Sequence, residues 1–184
     1  AATAAGAVVL GLALQDTLGN FFAGVAIQIE KPFSVGHWVR IRDTDGMVSE
    51  ITWRATKMRT KSGNFFIVPN SVLSKDTIIN YSEPTLETRL ELEVGVSYEV
   101  APNRVKSTIL DAIRDEPLIS RVVAPEVLLV NFGESSITYR VRVWTTEFGA
   151  DDPLRDRIRT AIYYAFHRTG IVIPFPIRTV LMKQ

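Results

Sequence analysis

The chain has no cysteine among its 184 residues and only two histidines, His37 and His167, far apart. Without cysteine there is no disulfide framework and no thiolate metal site. HExxH, CxxC, GxSxG and GxxxxGK[ST] patterns are all absent, so no enzyme class is signalled and no metal or cofactor is expected. His37 reads as a surface residue, His167 as a helix-end residue, and Asp151-Asp152 as a helix start. An excess of one charge is missing too. Lys and Arg number 21 against 20 for Asp and Glu, a net charge of +1, which does not mark a nucleic-acid binder. Neither an internal repeat nor a low-complexity stretch occurs. The first residue is not methionine and no basic leader precedes the apolar start, so the chain reads as a piece of a longer protein and not as one opening on a signal peptide.

What is present begins with AATAAGAVVLGLALQD. Thirteen of its first fourteen residues are apolar or glycine, and most of those are Ala or Gly. A core helix needs volume, which Ala and Gly do not supply. Small side chains instead let another backbone approach closely, the usual device of helix packing inside membranes. Residues 17–30 differ. Leu18, Phe21, Phe22, Val25 and Ile29 fall on one face of an amphipathic helix. Neither half reaches the roughly 20 apolar residues that span a bilayer. Together, residues 1–29 carry one charge, Asp16, between the halves. The pattern predicts a spanning segment that breaks near Asp16, with its second half near the membrane surface. Composition alone also allows two buried helices of a soluble domain.

Glu30-Lys31-Pro32 ends the helical pattern, and the period changes to two. Strands are expected at 38–42, 47–51, 52–61, 65–68 and 78–81, with Asp45-Gly46 and Ser62-Gly63-Asn64 as turns, a small barrel or sandwich over residues 31–84. Residues 85–181 alternate differently. A strand at 88–94 precedes a helix opened by Pro102, with Val105, Ile109, Ala112 and Ile113 inward. Strands follow at 127–130 and 137–144. A second helix takes Asp152 as N-cap and Pro153 as its first residue, faces inward with Leu154, Ile158, Ala161, Ile162 and Ala165, and stops at Gly170. A last strand begins at Ile171-Val172-Ile173. The order β-α-β-β-α-β is ferredoxin-like. The fold class expected is a kinked membrane helix (1–30) plus α+β: a small β-barrel-like domain and a ferredoxin-like α/β domain.

Arg54, Lys57, Arg59 and Lys61 beside Phe65 and Phe66 suit an RNA face, with cations for phosphate and aromatics for stacking. The plainer reading, a solvated strand face with both Phe residues in the core, is preferred.

GLALQDTLGNFFAGVAIQIEKPFSVGHWVRI, MRTKSGNFFIVPNSVL, SSITYRVRVW and GIVIPFP, in this order, resemble the small-conductance mechanosensitive channel family (MscS-type) over nearly the whole chain. The resemblance implies a homoheptameric, tension-gated ion channel in a bacterial inner membrane. Its partners are copies of itself, membrane lipid and permeating ions, and no nucleic acid. It implies a cytoplasmic vestibule from about residue 31 onward. It puts two hydrophobic constriction rings on Val8 and Leu12. It puts close helix packing on Ala4, Ala7 and Gly11 against Ala1, Ala5 and Val9. Asp16 stands where the family commonly has the glycine of a kink, so the bend is expected there or at Gly24. Asp16 also follows Val8 and Leu12 at i, i+4, which predicts a carboxylate at the pore mouth.

Overall fold

A computed structural model describes residues 2–178, and side chains from Gly6 onward. Contacts divide the chain into two compact units meeting between Leu86 and Glu87.

The first unit opens with α1 (Ala2–Glu30), rich in the strong helix formers Ala and Leu. It stops where Lys31 turns into the left-handed region (φ 47°) and Pro32 removes the next donor. The expected break near Asp16 does not occur. Asp16 and Gly24 both lie inside one unbroken helix, so Asp16 caps nothing. Aspartate and glycine in a helix interior cost at most about 1 kcal/mol each, less than a broken ladder. The Asn20 side chain adds a bond, donating from Nδ2 to the Asp16 carbonyl at 2.8 Å.

Five strands follow: β1 (Trp38–Ile41), β2 (Thr44–Ile51), β3 (Ala55–Arg59), β4 (Phe65–Pro69) and, after the one-turn helix α2 (Asn70–Leu73), β5 (Ile78–Asn80). They form an antiparallel sheet in the order β4-β3-β2-β1-β5. Among the described residues no pairing joins β4 to β5, so the sheet is open where a barrel would close. The β1–β2 turn falls at Arg42-Asp43, with Ile41 opposite Thr44, and not at Asp45-Gly46. Arg42 takes the positive φ instead (53°). Gly46 is needed within β2 for another reason: a Cβ there would stand 2.6 Å from the Phe66 ring. Alternation buries Val39, Ile41, Val48 and Met58 with Phe33 and Leu73, and Ile27 of α1 belongs to the same core.

The second unit runs β6 (Thr88–Val96), α3 (Pro102–Ile113), β7 (Glu126–Phe132), β8 (Ile137–Thr145), a 3-10 turn and α4 (Asp151–Thr169). Its sheet order is β6-β8-β7, with both pairings antiparallel. Val105, Ile109 and Ile113 of α3 and Leu154, Ile158 and Ile162 of α4 pack on its buried face with Tyr139, Val141 and Val143. Phe166, absent from the predicted face, is also fully buried. α4 starts at Asp151 after an Ala150 cap, so Asp152 and Pro153 sit within its first turn; Gly170 (φ 71°) closes it as expected.

The predicted last strand does not form among the described residues. Residues 171–178 are extended, tied to β6 by Ser97 N–H donating to the Val172 carbonyl at 3.0 Å. Pro174 and Pro176 cannot donate to a ladder. The unit is therefore β-α-β-β-α as described.

Candidate functional site: the apolar helix and its clamp

From Gly6 to Gly19 every side chain of α1 is exposed, including Val8, Val9, Leu10, Leu12 and Leu14. The segment Gly6–Glu30 is long and apolar enough to cross a membrane. A soluble core helix would be mostly buried, and this one is not. The amphipathic face read from the sequence, Leu18, Phe21, Phe22, Val25 and Ile29, is exposed as well. What the first unit buries is a different stripe, Ala23, Gly24 and Ile27, with Asn20 partly covered.

This stripe is a clamp. The Asn20 Oδ1 accepts the Ser71 N–H at 2.9 Å. One turn on, the helix backbone lies so close to the domain that a Cβ on Gly24 would stand 2.6 Å from both the Trp53 carbonyl oxygen and the Asn70 Nδ2. Asn70 is itself fully buried and fixed on both ends. Its Oδ1 accepts the Thr56 hydroxyl at 3.0 Å, and its Nδ2 donates to the Thr52 carbonyl at 2.8 Å. Asn20 and Asn70 lie in the stretches that carry the sequence resemblance but gave no role there, and Thr56 and Ser71 gave no signal. The legible signal was an Asn directly after a strand-ending proline, but its partner 14 residues back is a tertiary fact.

The other predicted residues are placed as follows. Val8 and Leu12 lie exposed, at i, i+4 in one continuous helix. Asp16 follows them with its carboxylate exposed. Ala7 and Val9 are exposed on the same segment. A Cβ on Gly11 would meet nothing within 4 Å. Ala4 and Ala5 are placed as helical backbone only, and Ala1 lies outside the described residues. Gly24 packs closely against the β-domain. His37 is half-buried, its Nδ1 3.3 Å from Asn80 Nδ2, and His167 is exposed near the end of α4. Among the described residues no group of His, Asp and Glu could hold a metal.

Outside the helix the strongest electrostatic feature is a forked pair. Arg40 Nε and Nη2 donate to the two Asp45 oxygens at 2.7 and 2.9 Å, and the Tyr81 hydroxyl donates to Oδ1 at 3.3 Å. The Arg40 hydrogen bonds hold the Asp45 carboxyl below its ordinary range. In the second unit, Glu93 raises Arg140. Burial pushes up the Tyr139 phenol, whose hydroxyl has no hydrogen-bond partner among the described residues. The paired face of Glu91, Glu93, Arg140 and Arg142 ties β6 to β8.

The basic strand and its two phenylalanines divide. Phe66 packs on the core, whereas Phe65 is exposed with the Lys57 Nζ 4.1 Å above its ring.

An exposed, membrane-length helix clamped to a β-domain and followed by an α+β unit defines a membrane protein carrying extramembrane domains. The comparisons say which. Residues 16–83 match the family profile described as the mechanosensitive ion channel β-domain, and residues 90–173 the one described as mechanosensitive ion channel MscS, C-terminal. The chain belongs to the MscS family of mechanosensitive ion channels.

Over 97% of its length it is 32% identical to the small-conductance mechanosensitive channel MscMJ of Methanocaldococcus jannaschii, covering 52% of that protein. Over 91% of its length it is 35% identical to the miniconductance mechanosensitive channel MscM of Escherichia coli, covering 15% of it. The closed-state crystal structure of Helicobacter pylori MscS superposes with a TM-score of 0.85 at 27% identity, covering 100% of this chain and 72% of that one. The chain thus spans about half or less of the curated relatives named here. Nothing in these comparisons supports the RNA-binding alternative, and the family is one of channels, not of enzymes.

Proposed function

We propose that this chain is the pore-forming part of a channel opened by membrane tension, releasing ions and small solutes on hypo-osmotic shock. α1 lines the pore of a homoheptamer in a bacterial inner membrane, and residues from about 31 onward form a cytoplasmic vestibule. One observation carries this: from Gly6 to Gly19 α1 exposes its apolar side chains all round, uncovered by any other described residue of the chain. Such a surface must be covered by lipid and by other helices. On the described part of the helix, Ala7 and Gly11 of one copy face Val9 of the next at close range. Val8 and Leu12 then point to the bore, where a narrow apolar ring stops ions by dewetting. Asp16, next on the same stripe, forms a ring of carboxylates on the cytoplasmic side of the constriction, which favours cations.

The test is electrophysiological. Val8→Asn or Leu12→Ser hydrates the ring, so patches from cells expressing the full-length protein carry current without applied suction, and the cells grow poorly. Wild-type closed behaviour of both variants would remove these residues from the gate.

A further inference from the structure

The side chains of α1 that the β-domain covers begin at Asn20 and continue with Ala23, Gly24 and Ile27. The β-domain carries ion-paired charges and cannot enter hydrocarbon. A bilayer crossed by α1 therefore ends at this turn. Whatever the domain exposes beside Gly24 stands at headgroup level. One of its two neighbours there is the turn before β3, whose Trp53 carbonyl packs against Gly24 together with the Asn70 side chain.

The composition of that rim fits the position. Trp53 is 52% exposed and Phe22, on the same turn of α1, is 64% exposed. Amphipathic aromatics collect at membrane interfaces. Arg54 is exposed next to Trp53. Ala55, Lys57 and Arg59 share the outer face of β3, because Thr56 and Met58 point into the core. At about 3.3 Å per residue, Lys57 stands roughly 7 Å and Arg59 roughly 13 Å along the strand from Ala55. Screening decides which cations count: with a Debye length of about 8 Å at physiological salt, Arg54 and Lys57 feel a charged surface at the rim, and Arg59 barely does. Two carboxylates share the sheet face. Asp45 is taken up by Arg40. Glu50 stands opposite Lys57 on β2, and none of the described ion pairs joins them.

We propose that Trp53, Arg54 and Lys57 form a docking rim for anionic phospholipid headgroups of the leaflet that α1 leaves. The proposal rests on α1 crossing a bilayer, and not on the pore residues or on gating. Trp53 supplies interfacial anchoring, and the two cations supply attraction to negative lipid, each contributing roughly a fivefold preference. A second copy of the chain is the competing occupant. The double variant described below separates the two, since an occupant from a neighbouring subunit would show as loss of the oligomer.

The experiment uses the full-length protein in nanodiscs containing acyl-brominated phosphatidylglycerol or, separately, acyl-brominated phosphatidylcholine. The tryptophan emission assigned to Trp53 is the wild-type signal minus that of Trp53→Phe. We expect it to be quenched by the brominated anionic lipid, more weakly by the neutral one, and the difference to shrink in 1 M salt. Arg54→Gln with Lys57→Gln lowers the anionic preference by more than tenfold while the oligomer mass is unchanged. Equal quenching by both lipids, no quenching by either, or loss of the oligomer in the double variant overturns the proposal. Because none of these readouts requires opening, a channel that fails to gate leaves this test intact.

Discussion

Replacing Gly24 by alanine adds one methyl group, and the fold leaves it nowhere to go. The Cβ would stand 2.6 Å from the Trp53 carbonyl oxygen, 2.6 Å from Asn70 Nδ2 and 3.1 Å from the Trp53 carbonyl carbon. Two of these are backbone atoms, and the third belongs to a side chain held at 3.0 Å by Thr56 and 2.8 Å by Thr52. Relief requires α1 to move off the domain, costing about 1–3 kcal/mol as overpacking. It also strains the Asn70 bonds, worth about 1 kcal/mol each. Alanine returns up to about 1 kcal/mol in helix propensity. The net expectation is a loss of about 1–3 kcal/mol. For a unit of this size each kcal/mol shifts Tm by roughly 4–8 °C. Thermal unfolding of the full-length protein, followed by tryptophan emission at fixed scan rate, should show a drop of at least about 5 °C. Gly19→Ala is the control: it meets nothing within 4 Å and should match wild type or exceed it. If Gly24→Ala is as stable as Gly19→Ala, the close approach does not exist in the folded protein and the clamp is misassigned.

Three further outcomes follow from the same residues. Asp16→Asn should weaken cation preference, read as a shifted reversal potential under a salt gradient; an unchanged potential would put Asp16 outside the ion path. Gly11→Leu, on a flank open in the subunit, should leave subunit folding intact and impair assembly or shift the activation threshold, since a neighbouring helix is expected there; native mass analysis and patch recording separate the two. Asp45 has a folded pKa held below its unfolded value, so its pairing with Arg40 stabilises the fold above about pH 4 and that contribution is lost as pH falls through the folded pKa. Asp45→Asn should therefore remove part of the stability change seen in acid melts of wild type below about pH 4, and identical acid melts would show the pair to be idle.

Much of the fold could be read from alternation and periodicity. The inward residues of α3, most of those of α4, and all five first-unit strand positions follow from which residues can share a face. The errors have a common cause. Asp45-Gly46 looked like a turn because turns favour that pair, but Gly46 answers to the Phe66 ring across two strands. Asp16 looked like a cap because aspartate often is one, but an unbroken ladder outweighs a local preference. The predicted last strand was apolar and branched, and its prolines decide against pairing. The helix face misled most. Leu18, Phe21 and Phe22 are the bulky residues, yet the buried stripe is Ala23, Gly24 and Ile27, with Asn20 partly covered. Close contact selects small side chains, and a reading that weighs bulk alone finds the opposite face.

The clamp has one more consequence, a matter of leverage. α1 is held by its second half and runs free from Gly6 to Asn20, an arm of roughly 20 Å at 1.5 Å per residue. The hydrogen-bonded helix runs on through both Asp16 and Gly24. A tilt of only about 10° at Asn20 then carries the Gly6 end sideways by about 3–4 Å, comparable to the width of a water molecule. A fulcrum built from Asn20, Gly24 and the Trp53 carbonyl turns a small rotation of the β-domain into a displacement of that size at the far end of the helix.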